Sequence, residues 1–201
     1  MRTGGFIYKN MKWILASQSP RRKELLGELI EQFDIIPAKG EEKLLEGATV
    51  CEQVQALAKA KAEEIAMQPL AENKWVLGAD TVVVLGNEIL GKPKDEQDAE
   101  RMLTALSGNT HEVWTGVCMM KKSGEEITAY IASDCTKVVF ETLDKAQIAS
   151  YIASGSPMDK AGAYGIQDGG LVKEIKGSFS NVVGLPVELC KRMIEQINKE
   201  N

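Results

Sequence analysis

Two hydroxyls and two guanidiniums stand close together in Ser17-Gln18-Ser19-Pro20-Arg21-Arg22. Such groups, with the unpaired N–H groups of a helix start, can converge on a phosphate. An ordinary solvated helix start uses the same residue types, and spacing alone leaves both readings open. A second candidate is Asp80, in Gly78-Ala79-Asp80-Thr81 ahead of Val82-Val83-Val84. A carboxylate in an apolar strand is costly to bury unless it is paired or metal-bound. It can cap backbone at a strand end, or it can bind a divalent cation or activate water, and its place inside the run favours the latter. Glu41-Glu42 form a third feature. They are either a solvated acidic loop or, with Asp80, hard oxygen ligands suited to Mg²⁺ or Mn²⁺ beside substrate phosphates. Lys61, Lys92 and Lys160 stand singly at turns or helix ends, where an ammonium acts as a point charge on phosphate or is merely solvated. Lys92, between Gly91 and Pro93, sits in the most constrained of these loops. A fifth stretch, Asp159-Lys160-Ala161-Gly162-Ala163-Tyr164-Gly165-Ile166-Gln167, joins small residues to an aromatic and an amide. It can close on a flat ring and read its edge, or it can be a tight turn with a packed tyrosine.

These residues need elements to hold them. Trp13-Ile14-Leu15 reads as a first strand, with Ser19 as N-cap and Pro20 as first residue of the following helix. Three cations open that helix against its dipole, which suits a bound anion. Phe33 to Ile36 forms a short strand, and Val50 to Met67 carries a helical apolar stripe at Val54, Leu57, Ala58, Ile65 and Ala66. Trp75 to Leu85 is a central buried strand, Gly86-Asn87 a turn, and Glu88 to Leu90 the return arm. A helix follows with Asp95 as N-cap and Gly108 past its end. His111 to Met120 alternates as a strand, Ile127 to Ala132 pairs back, and Lys137 to Phe140 forms another. Thr142 is expected to cap a helix stopped by Gly155. Ser156 to Asp168 reads as loop, and Leu171 to Ile175 and Val182 to Leu185 as late strands. A last helix from Pro186 buries Leu189, Cys190, Met193, Ile194 and Ile197. The alternation implies an α/β fold on a mixed sheet.

The 201 residues carry a net charge of −5, which argues against nucleic-acid coating. No apolar run is long enough to span a bilayer. Met1 to Asn10 lacks an apolar core of the signal-peptide kind and reads as a disordered extension, with Met11 a candidate start. Cys51, Cys118, Cys135 and Cys190 show no metal-ligand spacing and read as buried reduced thiols, which fits a cytoplasmic protein. His111 is the one histidine, which argues against a His-rich zinc site and leaves one candidate for any Ser-His pair. It reads as a strand-edge residue rather than a catalytic base.

From about Trp13 to Met193 the chain resembles the Maf family of nucleoside triphosphate pyrophosphatases. The motifs that carry this are Ser17-x-Ser19-Pro20-Arg21-Arg22, Glu41-Glu42, Leu57-Ala58-x-x-Lys61-Ala62, Gly78-Ala79-Asp80-Thr81, Gly91-Lys92-Pro93, Leu106-Ser107-Gly108-x-Thr110-His111, Asp159 to Gln167 and Val182-Val183-Gly184-Leu185-Pro186. The resemblance implies one α/β domain over residues 11–201, with two lobes around a central cleft on a long mixed sheet, related to the inosine triphosphate pyrophosphatases. It also implies that Ser17, Arg21 and Arg22 hold phosphates. Glu42 and Asp80 would organise a divalent metal and water, with Asp80 catalytic, while Lys61, Lys92 and Gln167 line the same cleft. The motif forms look like the subgroup acting on dTTP and UTP, including modified pyrimidines. The implied reaction is hydrolysis between the α- and β-phosphates, with a nucleoside triphosphate as partner, no nucleic acid or membrane, and a homodimer compatible with it. Alternatives are a nucleotide-binding regulator of cell division with little turnover, and a 7-methyl-GTP or purine-selective pyrophosphatase. The first ten residues have no family counterpart, and Lys39-Gly40 departs from the family's usual turn before Glu41.

Overall fold

Residues 11–40 and 45–200 are described by a computed structural model of the chain. The expectations for residues 1–10 and for Glu41 and Glu42 therefore lie outside the described residues. The elements run β1 (Trp13–Leu15), α1 (Pro20–Gly27), β2 (Asp34–Ile35), α2 (Val50–Ala66), β3 (Trp75–Leu85), β4 (Glu88–Leu90), α3 (Glu96–Leu106), β5 (Thr110–Ser123), β6 (Glu126–Phe140), α4 (Lys145–Ala153), β7 (Val172–Lys176), α5 (Phe179–Val183) and α6 (Val187–Glu200). One mixed sheet has the order β2-β1-β3-β5-β6-β7, with β4 also on β3. The chain is α/β, as the alternation of patterns implies.

The chain divides into two compact units. The first holds residues up to Asp80, Thr115–Asp134 and everything from Gly184 onward. In it β1 pairs in parallel with both β2 and β3, Ile14 lying opposite Asp34 and Val76. α2 begins at a capping box: the Thr49 hydroxyl accepts the Glu52 N–H at 3.3 Å, and the Glu52 carboxylate accepts the Thr49 N–H at 2.8 Å. Its alanine-rich face, Ala58, Ala62 and Ala66, packs with Ile14, Val76, Cys118 and Met120. The approach is close because the facing strands carry glycine. A Cβ on Gly78 would lie 2.3 Å from the Ala58 carbonyl oxygen, and one on Gly116 would lie 2.2 Å from that of Val54.

The second unit holds Thr81–Trp114 and Cys135–Val183. Its core gathers Val83 and Leu90 from the β3–β4 hairpin, Met102, Leu103 and Leu106 from α3, and Phe140, Ile148 and Tyr164. His111 sits inside this core, 2% exposed, rather than at a strand edge. Its Nε2 is 2.7 Å from the Tyr164 hydroxyl, and its ring meets those of Phe140 and Tyr164 edge to face.

Four local expectations are corrected. Ile127–Ala132 and Lys137–Phe140 belong to one strand, β6. The polar residues between them find partners without a break: the Ser133 hydroxyl meets Cys51 and Gln55, and the Thr136 hydroxyl meets Ser178. α4 is capped by Asp144, in a capping box with Gln147, not by Thr142. The Ser107 hydroxyl holds Leu143 through both its N–H and its carbonyl, which delays the helix. Val182-Val183 end a short helix rather than form a strand. Ser178 accepts the Asn181 N–H at 3.2 Å, and the buried Asn181 amide donates to the Val113 carbonyl and the Thr136 hydroxyl. Short apolar runs do not distinguish the two states. Of the four thiols, Cys118 and Cys190 are buried, whereas Cys51 and Cys135 are only partly so; none forms a disulfide.

Burial without a countercharge lowers the His111 pKa from its usual 6.5 to about 4. The unfolded chain therefore takes up a proton between those values while the folded chain stays neutral, so this contribution to stability is present above pH 6.5 and is lost as pH falls toward 4. Its ceiling is about 3 kcal/mol. Urea unfolding of the wild type and His111→Phe across pH 4–7 checks this: the acid-side loss is expected to be shallower in the variant, and parallel losses would exclude His111 as the cause.

Candidate active site

The first unit holds five of the expected residues, Ser17, Arg21, Arg22, Lys61 and Asp80. β1 ends beside β3, with Leu15 opposite Leu77 and the Ala16 N–H donating to the Leu77 carbonyl at 2.8 Å. The turn after β1 thus runs alongside Gly78-Ala79-Asp80. Ser17 is buried, and its hydroxyl accepts the Ser19 N–H at 3.2 Å and Arg22 Nη1 at 3.4 Å. Ser19 is the N-cap of α1, accepting the Arg22 N–H at 3.3 Å, with Pro20 as the first helical residue, as the sequence implies. Arg22 Nε donates to the Gly184 carbonyl at 2.9 Å. Arg22 therefore ties the helix start to the chain ahead of α6 as well as presenting charge. Arg21 is half-buried at the same helix start.

Asp80 lies within β3 and is buried. Lys61, on α2, places Nζ 2.6 Å from Asp80 Oδ1, with side-chain exposures of 20% and 8%. This pair answers the burial question raised by the sequence: the carboxylate is paired with an ammonium. The Gly78–Ala58 approach sets the spacing, because α2 lies against β3 one residue pair away from the ion pair. A lone carboxylate with one oxygen on an ammonium leaves the other for water or a cation. Among the described residues no three His, Cys, Asp or Glu side chains form a metal cluster. Mg²⁺ needs only one or two carboxylates when phosphates and water complete its shell, so Asp80 with substrate oxygens has the right donor chemistry.

The second unit carries the remaining candidates. Lys92 is exposed, in a loop held by the buried Pro93 and by the Gly162 N–H donating to the Gly91 carbonyl at 2.9 Å. Gln167 is exposed in a 3₁₀ turn, Ile166–Asp168. Lys160 is spent within its own loop: Nζ donates to the Ser156 carbonyl at 2.5 Å, to its hydroxyl at 3.0 Å and to Asp159 at 2.8 Å. Tyr164 is packed in the core, so the aromatic of this loop is structural. No local pattern signals the network that shapes the loop. Tyr151 accepts the Gly165 N–H at 2.9 Å and donates to Asp168 at 2.5 Å, and Ser156 donates to the same carboxylate oxygen at 2.7 Å. Burial, with the bond to Asp168, pushes the Tyr151 hydroxyl up to about 12, so it stays a donor. Gly184, which stands in one of the motifs quoted above, presents its carbonyl to Arg22 at φ 126°, a role that the motif alone does not assign.

The Maf-like protein family model matches residues 12–197. The chain belongs to this family. Among curated relatives, the dTTP/UTP pyrophosphatase of Anaeromyxobacter dehalogenans (strain 2CP-C) is 49% identical over 179 residues, 87% of this chain and 88% of that protein. The dTTP/UTP pyrophosphatase of Aquifex aeolicus (strain VF5) is 45% identical over 94% of this chain and 96% of its own length. A solved structure, that of the Staphylococcus aureus Ham1 protein, aligns at a TM-score of 0.47 and 13% identity over 92% of this chain and 98% of that chain, a slight likeness. No helix among the described residues is long and apolar enough to cross a membrane.

Gly78→Ala is expected to cost at least about 1–3 kcal/mol, because the added methyl meets main-chain atoms of α2 that cannot turn aside. Turnover per folded molecule should fall with it, since relief of the clash moves Lys61 away from Asp80. Urea midpoints and activity normalised to folded protein check this; an unchanged midpoint would contradict the close packing.

Proposed function

We propose that this Maf-family protein hydrolyses the α–β phosphoanhydride bond of dTTP and UTP, releasing the nucleoside monophosphate and pyrophosphate. The observation that carries the reading is the buried Asp80–Lys61 pair beside the hydroxyl- and arginine-bearing turn after β1. It stands together with relatives of 45–49% identity that bear the name dTTP/UTP pyrophosphatase.

In this reading the α1 start, Ser17, Arg21 and Arg22 hold the phosphates. Arg22 is anchored on the Gly184 carbonyl, so its guanidinium is fixed before substrate arrives. Lys61 fixes one oxygen of Asp80, leaving the other to accept a proton from a water molecule. That water's oxygen forms a bond to the α-phosphorus as the bridging oxygen departs with its electron pair on pyrophosphate. Charge developing on the leaving group falls near the guanidiniums. Asp80 would also hold a divalent cation, Mg²⁺ or Mn²⁺, with phosphate oxygens and with Glu42, which lies outside the described residues. When bound, such an ion neutralises the triphosphate and polarises the scissile bond. Lys92 and Gln167, the remaining residues that the family resemblance names, are exposed on the second unit.

Asp80→Asn keeps the shape of the side chain but removes its charge and proton acceptor. Pyrophosphate release per folded molecule is expected to drop by about 10²–10⁴-fold while a nucleotide-induced thermal shift persists. A stable variant with near-normal turnover would remove Asp80 from the chemistry, and a wild type that binds nucleotide without turnover would identify a regulator instead.

Across a nucleotide panel with Mg²⁺, dTTP and UTP are expected to be cleaved faster than ATP, GTP and dCTP, and excess chelator is expected to abolish release. Equal rates on purines would refute the base assignment, and full activity in chelator would refute the metal.

A further inference from the structure

Among the described residues, a strand pairs with the outer edge of the long strand β6 only at one end. β7 pairs with Lys137, Val138, Val139 and Phe140, and among the described residues no strand pairs with the outer side of Ile127–Ala132. Backbone direction along this edge follows from its far end. The Phe140 N–H turns inward to the Asn109 carbonyl at 3.0 Å, and the Glu141 N–H turns outward to that of Leu171 at 2.9 Å. Carried back by the two-residue period, this turns the N–H and carbonyl groups of Ile127, Ala129 and Ile131 outward.

Exposed strand edges are normally blunted by lysine, proline, a bulge or a covering element. From Ile127 to Ala132 there is no charge and no proline. The side chains of this edge are apolar as well: Ile127 is 50% exposed and Ile131 40%. Both share one face with Ala129, while Tyr130 turns to the other face, where its hydroxyl donates to Glu200 and its ring meets Trp75.

We propose that this edge pairs with the same edge of a second copy of the chain, extending the sheet across a two-fold axis. The occupant is argued from self-complementarity, which a two-fold interface requires. Antiparallel pairing centred on Ala129 sets Ile127 of one copy opposite Ile131 of the other, twice. It joins the outward N–H and carbonyl groups of all three residues and brings four isoleucines together on one face. In that register Glu125 faces Ser133 and Glu126 faces Ala132, so no like charges meet. Centring on Tyr130 would set Glu126 against Asp134, and centring on Thr128 would set Glu125 against Ile131. Charge therefore selects the register that also pairs the isoleucines. A single strand pair is a small interface, so the dimer is concentration-dependent. The proposal does not rest on the reaction assigned above.

Sedimentation of the full chain over a concentration series, up to about 200 µM where small interfaces assemble, tests this. The wild type is expected to reach twice the monomer mass. Ala129→Pro removes an outward N–H while sparing the bonds to β5, and is expected to stay monomeric with wild-type circular dichroism. Ile131→Glu sets a carboxylate opposite Ile127 and diagonal to Glu125 of the second copy, and is expected to do the same; it decides the matter if the proline variant does not fold. A wild type that is monomeric throughout, or a dimer that survives in a folded variant, would overturn the proposal. So would a monomer whose Ile127, Ala129 and Ile131 amides are protected from hydrogen exchange, since another segment would then cover the edge.

Discussion

The ion pair between Lys61 and Asp80 is the constraint to which the first unit is built. A carboxylate in the body of a buried strand is tolerable only with a countercharge, and a lysine reaches it only if α2 lies almost on β3. Glycine at 78 and 116 and alanine at 58 and 62 supply that approach, since any Cβ at either glycine would collide with α2 main chain. The pair adds little to stability, because desolvation offsets much of the attraction. Its consequence is geometric: one oxygen of Asp80 is fixed and the other keeps a defined direction.

The turn after β1 meets a related difficulty. Three cations at the start of α1 face the positive end of the helix dipole, and the first turn holds no acidic residue. The structure accommodates them by giving one guanidinium neutral acceptors, the Gly184 carbonyl and the Ser17 hydroxyl. Cations gathered at a helix start are suited to meet an anion from outside.

In the second unit the loop from Ser156 to Asp168 is set by two different kinds of contact. Tyr164 anchors it in the core through its hydroxyl contact with His111 Nε2 and edge-to-face packing with Phe140. Near the surface, Asp168 collects the hydroxyls of Tyr151 and Ser156, and the resulting turn leaves Gln167 outward. The same network takes up Lys160, so of the two loop groups singled out by sequence the amide stays open and the ammonium is structural.

Sequence by itself determined the features that depend on local chemistry. The β3–β4 hairpin follows from eleven mostly apolar residues and a Gly-Asn turn, and the caps at Ser19, Asp95 and Gly155 follow from side-chain type. The motifs identified the family because they are runs of adjacent residues. Tertiary structure alone decided what depends on partners far along the chain. The polar centre of β6 stays in a strand because Cys51, Gln55 and Ser178 satisfy it. Val182-Val183 become helical because Asn181 is held from Val113 and Thr136. His111 is a neutral core residue because Tyr164 and Phe140 enclose it. Arg22 meets Gly184 across 162 residues of sequence, and Asp80 meets Lys61 across a helix–strand contact. No local pattern encodes such pairings, since propensity and periodicity report only what a residue does with its near neighbours.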